Sequence, residues 1–470
     1  MSRRLLRSVS ALFLLSACAC PPEPFGAVPD AGQLEWQKME INMFCHFGPN
    51  TFSGLEWGSG AEPEDLFNPS SLDCRQWART AAAAGMKGII ITAKHHDGFC
   101  LWPNPVSTHT VACGSWRDGQ GDVLRELSDA CREYGLKFGV YISPWDRNDP
   151  DYGTPEYNSK YAETLRSVLD GRYGPVFEEW FDGACGEGPT GRRQEYDWPL
   201  FHRTVRELQP DAVMFSDVGP GCRWVGNERG SAGLTNWSTL DIDGFSPGAG
   251  APPVDTLQSG NRGAASWIPA EADVSIRPGW FWRESEEPAS VDALMKIYYE
   301  SVGRNALLLL NVPPDTSGRI PAADSLRLME WRARLDSEFA VDLCRDARFR
   351  APCWPGFPAR RLGDGDFDTY WSAPAGLLTP CVEIEFPSER RFDRVVLQEY
   401  IPLGQRVCAF AVDAFCADGW QEIASGTTIG YKRILLTTPT SARKLRIRIT
   451  SSLASPVLSG VGIYQSNEIQ

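Results

Sequence analysis

A chain of 470 residues, 42% of them hydrophobic, is long enough for two domains, each with its own core. Its formal net charge of −14 excludes a protein that grips nucleic acid, whose phosphates demand a basic face. Fourteen scattered cysteines with no C-x-x-C pair argue against structural zinc, and 17 tryptophans supply either core or flat apolar surfaces.

In chain order, Met1 to Arg7 gives a positive start and Val9 to Ala17 a short apolar segment that cannot span a bilayer as a mature helix. It ends Leu15-Ser16-Ala17-Cys18, which resembles a bacterial lipobox. That resemblance implies a signal peptide over 1–17, lipid on Cys18 and a tether over 18–34. The expected product is exported to the bacterial cell envelope, periplasmic or surface-facing, and meets the membrane only through acyl chains. No other apolar run reaches transmembrane length. Cys45 and Cys100 lie in apolar surroundings that suit buried free thiols, whereas Cys344 with Cys353 and Cys408 with Cys416 are candidate disulfides.

Six short apolar runs follow: Ile41–Phe47, Met86–His96, Leu136–Ile142, Val176–Phe181, Ala212–Ser216 and Ala306–Val312. Such runs predict parallel strands buried on both faces. Helical spacing appears between them at Ser71–Gly85, Asp122–Tyr134 and Tyr161–Leu169. Strands alternating with helices predict an α/β fold, a (β/α)8-like barrel over 35–338. The texture breaks around Phe339–Pro355. Beyond it, period-two alternation at 381–386, 394–400, 409–415 and 444–449 predicts a C-terminal antiparallel β-sandwich over 345–468.

In a closed barrel of this kind, functional groups sit where strands end. The first run ends at His46, the second at His95-His96, the third at Tyr141, the fourth at Asp182, and the fifth leads through Ser216-Asp217 to Glu228. The steps are 49, 46, 41 and 46 residues, about one per strand–helix unit, and three of the five histidines fall there. Asp182 is carried to the rim by Trp180 and Phe181, which help wall it from water, and is followed by Gly183. A carboxylate so placed suits a glycosidase nucleophile, which needs a second carboxyl as acid/base. Glu228, in a glycine-flanked loop, and Glu271 both qualify. Adjacent strand residues point to opposite faces, so His95 and His96 are poor joint ligands for one metal ion and better hydrogen-bonding partners for hydroxyls. Gly244-Phe-Ser-Pro-Gly248 mimics a nucleophile elbow, but Pro247 lacks the N–H that an oxyanion hole requires. Gly186-Glu-Gly-Pro-Thr-Gly191 mimics a dinucleotide loop, but Glu187 would repel a pyrophosphate.

Met43-Phe-Cys-His-Phe-Gly48, Glu56-Trp-Gly58, Ala93-Lys-His-His-Asp-Gly-Phe99, Gly139-Val-Tyr-Ile-Ser-Pro-Trp145 and Glu179-Trp-Phe-Asp-Gly183 together resemble the α-L-fucosidases of glycoside hydrolase family 29. The resemblance covers about 35–338. It implies a retaining exo-hydrolase of terminal L-fucose that needs neither metal nor cofactor, with fucosylated oligosaccharides or glycoconjugates as partners. By resemblance Asp182 is the nucleophile, and His46, Glu56, Trp57, His95, His96 and Tyr141 contact fucose. Trp224-Val-Gly-Asn-Glu-Arg-Gly230 with Thr235-Asn-Trp237 is similar to the subgroup acting on α-1,3/1,4 branches, which places the acid/base on Glu228 and keeps Glu271 as a rival within the site. Trp280 and Trp282 are expected to line the fucose methyl or the next sugar. Asp364 to Trp371 resembles a galactose-binding-like, discoidin-type domain. The alternatives are an α-1,2/1,6-tolerant fucosidase, a glycosidase of another sugar, and a non-catalytic surface glycan-binding lipoprotein.

Overall fold

The computed structural model describes residues 20–466 apart from residue 249, so the expected signal peptide and Cys18 lie outside the described residues. The first strands are β1 (Ile41–Cys45), β2 (Gly88–Lys94), β3 (Lys137–Ile142), β4 (Val176–Trp180), β5 (Val213–Ser216) and β6 (Cys222–Trp224). A two-residue ribbon, β7 (Thr239–Leu240) with β8 (Ser266–Trp267), precedes β9 (Ala270–Ser275) and β10 (Ala306–Asn311). Strands β1 to β6, β9 and β10 close into an eight-stranded parallel barrel. Apart from exposed Lys137 and a few half-buried residues, the barrel strands are buried along their length, because side chains fill the inside and helices cover the outside.

The predicted helices form as α3 (Cys74–Ala83), α4 (Val123–Glu133) and α5 (Pro155–Leu169), preceded by α1 (Ala31–Met39) and α2 (Pro49–Ser53). The Asp73 and Asp122 carboxylates cap α3 and α4 by accepting from the backbone N–H three residues on.

Two barrel strands escape the sequence pattern. β6 is only three residues, Cys-Arg-Trp, and follows β5 after five residues with no helix between. β9 reads Ala-Glu-Ala-Asp-Val-Ser, so its buried acids disguise a strand. Glu228 therefore follows the sixth strand, not the fifth, and the 46-residue step to it does not mark one strand–helix unit.

A bulge in β4 sets the phase that delivers Asp182. Pairing passes from Phe138↔Val176 to Val140↔Glu179, so Gly139 alone faces both Phe177 and Glu178. A Cβ on Gly139 would lie 2.9 Å from the Phe177 ring. Glu178 thus points inward, Glu179 outward, and Trp180 and Asp182 inward again. Inside, Trp180 stacks on Phe215 (3.8 Å between centroids, 8° between planes) and on Tyr141 (5.2 Å), making an aromatic floor.

After the long helix Ala322–Glu338 the second domain begins. Its strands are β11 (Arg348–Arg350), β12 (Trp371–Ser372), β13 (Cys381–Glu399), β14 (Val407–Cys416), β15 (Gly419–Gly426), β16 (Arg433–Ser452) and β17 (Val457–Tyr464). All pair antiparallel around their own apolar core, in the order β12-β17-β13-β16-β14-β15 with β11 on β13. The long β13 and β16 shift register between Glu385 and Arg390, merging pieces that the sequence shows as separate strands. Neither candidate disulfide forms: all thirteen described cysteines are free, Cys344 being buried while Cys353 is exposed.

Candidate active site

The C-terminal ends of the strands gather the polar residues into one hollow above the aromatic floor. Asp182, two residues past β4, is its centre. Tyr141, inward on β3, donates its hydroxyl to Asp182 Oδ2 at 3.0 Å, and the Ala184 N–H donates to Oδ1 at 2.8 Å. His96 Nε2 lies 3.6 Å from the same Oδ2, and the Asp182 side chain keeps 28% of its surface open. Both carboxylate oxygens are thus oriented, and the group still faces the hollow.

His95 and His96 depart from the expected opposition of adjacent residues, because β2 ends at Lys94 and a turn follows. Gly98 closes that turn at φ +89°, with Asp146 Oδ1 only 2.4 Å from where a Cβ would stand. Both rings lie side by side, 4.2 Å apart. His95 stacks on Tyr141 at 17°, and His96 Nδ1 meets the Ser143 hydroxyl at 2.8 Å. Beneath them the buried Lys94–Asp146 pair (3.0 Å) holds the strand ends together.

His46 completes the histidine wall at the end of β1. Its Nδ1 and its backbone N–H both engage Asn311 Oδ1, at 2.9 and 3.1 Å. Burial pushes the His46 imidazole down to about 3, only partly offset by Asn311, and His96 to about 4 despite Asp182. Burial likewise holds His95 well below the ordinary imidazole range, its two neighbouring histidines adding to the effect. The wall is therefore three neutral rings, suited to exchanging hydrogen bonds with hydroxyl groups.

The rim comes from loops. Glu56 accepts from the Trp280 N–H (3.1 Å) and pairs with Arg283 (2.5 Å), tying the loop after α2 to residues 279–283. Trp57 is 59% exposed and stands edge-on to Trp145 at 5.9 Å, an open aromatic face beside His96. Trp280 packs on His46 at 4.9 Å and donates its indole N–H to Glu228 Oε2 at 3.3 Å. Glu228 itself is exposed in the loop after β6. Phe281, fully buried, sits edge-on beneath His46 and His95.

Two expected residues fall elsewhere. Glu271, on β9, is fully buried one layer below, accepting from the Trp180 indole (2.8 Å) and facing Glu178. Glu178 accepts from the Trp36 indole (2.7 Å) and the Cys222 thiol. Burial raises both carboxyls, Glu178 to about 7 and Glu271 further, since two such groups in apolar surroundings hold a proton between them. Glu271 is thus sealed beneath Trp180 and does not border the hollow. Trp282 is half-buried and shows no ring contact with the histidine wall; Trp280 takes that place.

Several site residues have no counterpart in the sequence reasoning. Asn311 also donates to Ser275 Oγ (2.9 Å) and the Trp280 carbonyl (2.8 Å). It ends the β10 run as His46 ends β1, so the same reading of strand ends would find it. Asp273, inward on β9, accepts from the Trp224 indole at 2.9 Å. Burial, then Glu228, then Asp182 raise its carboxyl to about 8, so it is a neutral acid near both ionisable groups. Asp217, already marked in the sequence as the end of the fifth run, is likewise raised, by burial and by Asp182. An apolar cavity of about 500 Å³ between α1, α4 and the start of β4 holds none of these residues.

Residues 27–335 match the alpha-L-fucosidase family model and residues 350–460 the F5/8 type C domain. The chain is similar to alpha-L-fucosidase 1 of Arabidopsis thaliana, 39% identical over 96% of this chain and 89% of that protein. The crystal structure of SpGH29 superposes with a TM-score of 0.90 at 39% identity, covering 95% of this chain and 99% of that one. A Ruminococcus gnavus GH29 fucosidase in complex with fucose does so with a TM-score of 0.86 at 31% identity, covering 96% and 98%. A two-domain match of this extent, with carboxylates and neutral histidines gathered at the barrel mouth, has one meaning: the chain belongs to the α-L-fucosidases of glycoside hydrolase family 29.

Proposed function

We propose that the enzyme removes terminal L-fucose with retention of anomeric configuration, Asp182 acting as nucleophile and Glu228 as acid/base. The observation that carries this is the Asp182 carboxylate, oriented by Tyr141 and the Ala184 N–H at the base of a hollow walled by neutral histidines. In the first step an Asp182 oxygen bonds to the anomeric carbon while the bond to the departing glycosidic oxygen breaks. Glu228, protonated, gives that oxygen its proton. In the second step water attacks the same carbon, its proton returns to Glu228, and the ester to Asp182 breaks. Two inversions restore the starting configuration. His46, His95 and His96 bind hydroxyls, and Trp57 and Trp280 offer faces to the ring and the adjoining sugar.

We assign the preferred linkage to α-1,3/1,4 branches, on the Trp224–Gly230 and Thr235–Trp237 stretches that resemble that subgroup. The relative solved with fucose supports fucose itself in the hollow. Export and lipid attachment at Cys18 belong to the same proposal and rest on Leu15–Cys18. Proton NMR of the first-formed fucose tests the mechanism: the α anomer is expected, and β-L-fucose would overturn it. Free fucose released from α-1,2-, α-1,3/1,4- and α-1,6-linked oligosaccharides tests the linkage. Mass analysis of the membrane-extracted protein tests for acyl chains on Cys18.

A further inference from the structure

Glu228 is exposed, yet an acid/base must be held in place to transfer a proton, and its loop carries little of its own support. Gly226 (φ +84°) and Gly230 (φ +67°) bracket it, and within it Asn227 accepts from the Arg229 N–H (3.0 Å) and donates to the Ser231 carbonyl (2.8 Å). At its two ends the Val225 N–H donates to the Glu271 carbonyl and the Ala232 N–H to the Glu300 carbonyl, each at 2.9 Å, and beyond these barrel contacts both flanks lead on to the sandwich.

At the near end stands Arg223, fully buried on β6 with no carboxylate partner among the described residues. Its guanidinium donates instead to carbonyls of Leu257 (2.8 Å), Ile268 and Trp237 (3.0 Å), and to Asn236 Oδ1 (2.8 Å). Burial presses it down to about 9. A buried cation held only by neutral acceptors is costly unless every acceptor keeps its place. Asn236 is held by the barrel through its Nδ2, which donates to the Arg304 (2.8 Å) and Asn305 (3.1 Å) carbonyls, and its backbone is held from outside as well. Its N–H donates to Thr428 Oγ at 2.9 Å, and its carbonyl accepts from Gln405 Nε2 at 3.1 Å. Gln405 Oε1 also accepts from the Ser238 N–H at 2.7 Å. Thr428 and Gln405 belong to the carboxy-terminal domain.

At the far end the same domain closes the frame. Arg433 donates to the Leu234 carbonyl (2.7 Å) and the Thr427 and Thr235 hydroxyls meet at 2.8 Å. The segment 234–238, which follows the Glu228 loop, is thus gripped by the sandwich on one side and by Arg223, which precedes that loop, on the other.

We propose that the carboxy-terminal sandwich positions Glu228, with Thr428 and Gln405 acting through Asn236 and Arg223 on the loop that carries it. Thr428 and Gln405 are positioning residues that touch neither substrate nor reacting atoms. The inference rests on Glu228 being the acid/base. It gives the second domain a part in catalysis separate from any ligand of its own.

The test compares Thr428→Val and Gln405→Leu with Glu228→Ala on two substrates. One is an α-1,3/1,4-fucosylated trisaccharide, whose departing sugar needs a proton. The other is a dinitrophenyl α-L-fucoside, whose phenolate leaves without one. Displacing a catalytic group by an ångström can cost about 100-fold, and a loosened rather than lost anchor is expected to lower kcat/KM on the trisaccharide about tenfold. The aryl fucoside should keep nearly wild-type kcat/KM, and Thr428→Ser, which retains the hydroxyl, should restore the trisaccharide rate. Equal losses on both substrates, tracking the melting temperature, would show mere bracing and overturn the proposal, as would no loss on either. If Glu228→Ala itself lacks the leaving-group signature, the acid/base assignment fails and takes the proposal with it. If Glu228→Ala shows the signature and the sandwich variants do not, the positioning role alone fails.

Discussion

The two halves of the barrel are built to different rules. From β1 to β4 each strand is followed by a helix-containing connection and ends in a group that faces the hollow, so His46, the His95–His96 pair, Tyr141 and Asp182 arrive in regular steps. From β5 to β9 the repeat collapses. Five residues join β5 to β6, β6 is three residues long, and forty-five residues separate it from β9. The regular half supplies fixed, deeply supported groups, which the proposed mechanism assigns to one sugar. The irregular half supplies the exposed Glu228, on a loop followed by a segment that the second domain also holds. Rigid strands suit the invariant part of a substrate, whereas loops tolerate change and suit the part that differs between substrates.

The sharpest break of the regular half is Asp182→Ala. On the proposed mechanism it removes the group that forms the covalent bond, so turnover should fall about 10⁴-fold or more on every fucoside, activated or not. Steady-state rates on both substrate types measure it, and a loss confined to poor leaving groups would remove Asp182 from its assigned role.

The irregular half should break differently. Glu228→Ala forfeits general acid catalysis, worth about 10²- to 10⁴-fold, on oligosaccharides. Activated aryl fucosides should be spared in the first step, and azide should restore turnover as α-L-fucosyl azide, since it needs no base to attack the β-linked fucosyl-enzyme. Glu271→Gln serves as the control. Its carboxyl is sealed beneath Trp180 and already shares a proton with Glu178, so the amide should give neither leaving-group dependence nor azide rescue. Azide rescue of a Glu271 variant would reverse the assignment.

The same contrast decided what was legible in the sequence. The long apolar runs of β1 to β5 and β10 betray themselves because strands covered on both faces need apolar side chains throughout. β9 hides because its inward positions carry Glu271 and Asp273, acids that stay buried by remaining neutral, and β6 because it is three residues containing a buried arginine. Glu228 was found through resemblance and loop composition, and its apparent one-unit spacing from Asp182 was coincidence. Asn311 was legible in principle as the polar end of an apolar run. Trp280 rather than Trp282 meets Glu228, and no pattern in Gly-Trp-Phe-Trp tells which indole turns inward. The loss of strand alternation at His95–His96 depends on where β2 stops, which sequence periodicity fixes only to within a few residues.

The mildest intervention lies where the halves meet, at Asp273. Its carboxyl, ordinarily ionised above pH 3.8, stays protonated in the folded chain to about pH 8, because burial, Glu228 and Asp182 all oppose a further negative charge. The folded state therefore holds a proton that the unfolded state has released. Stability from this group is fully present near pH 4 and lost as pH climbs towards 8, with a slope of at most about 1.4 kcal/mol per pH unit. His46 and His96 act oppositely: kept neutral down to about 3 and 4, they contribute stability present above pH 6.5 and lost as pH falls from there. Asp273→Asn imitates the neutral acid and keeps an oxygen for the Trp224 indole, so it should leave kcat/KM near wild type at pH 5 to 6. Its melting temperature should exceed that of wild type by a margin that widens from pH 5 to 8, while the loss below pH 6.5 stays unchanged because the histidines remain. Melting curves of the two proteins across that range measure it. A margin that stays constant from pH 5 to 8 would mean that Asp273 is already ionised in the fold and releases no proton on unfolding.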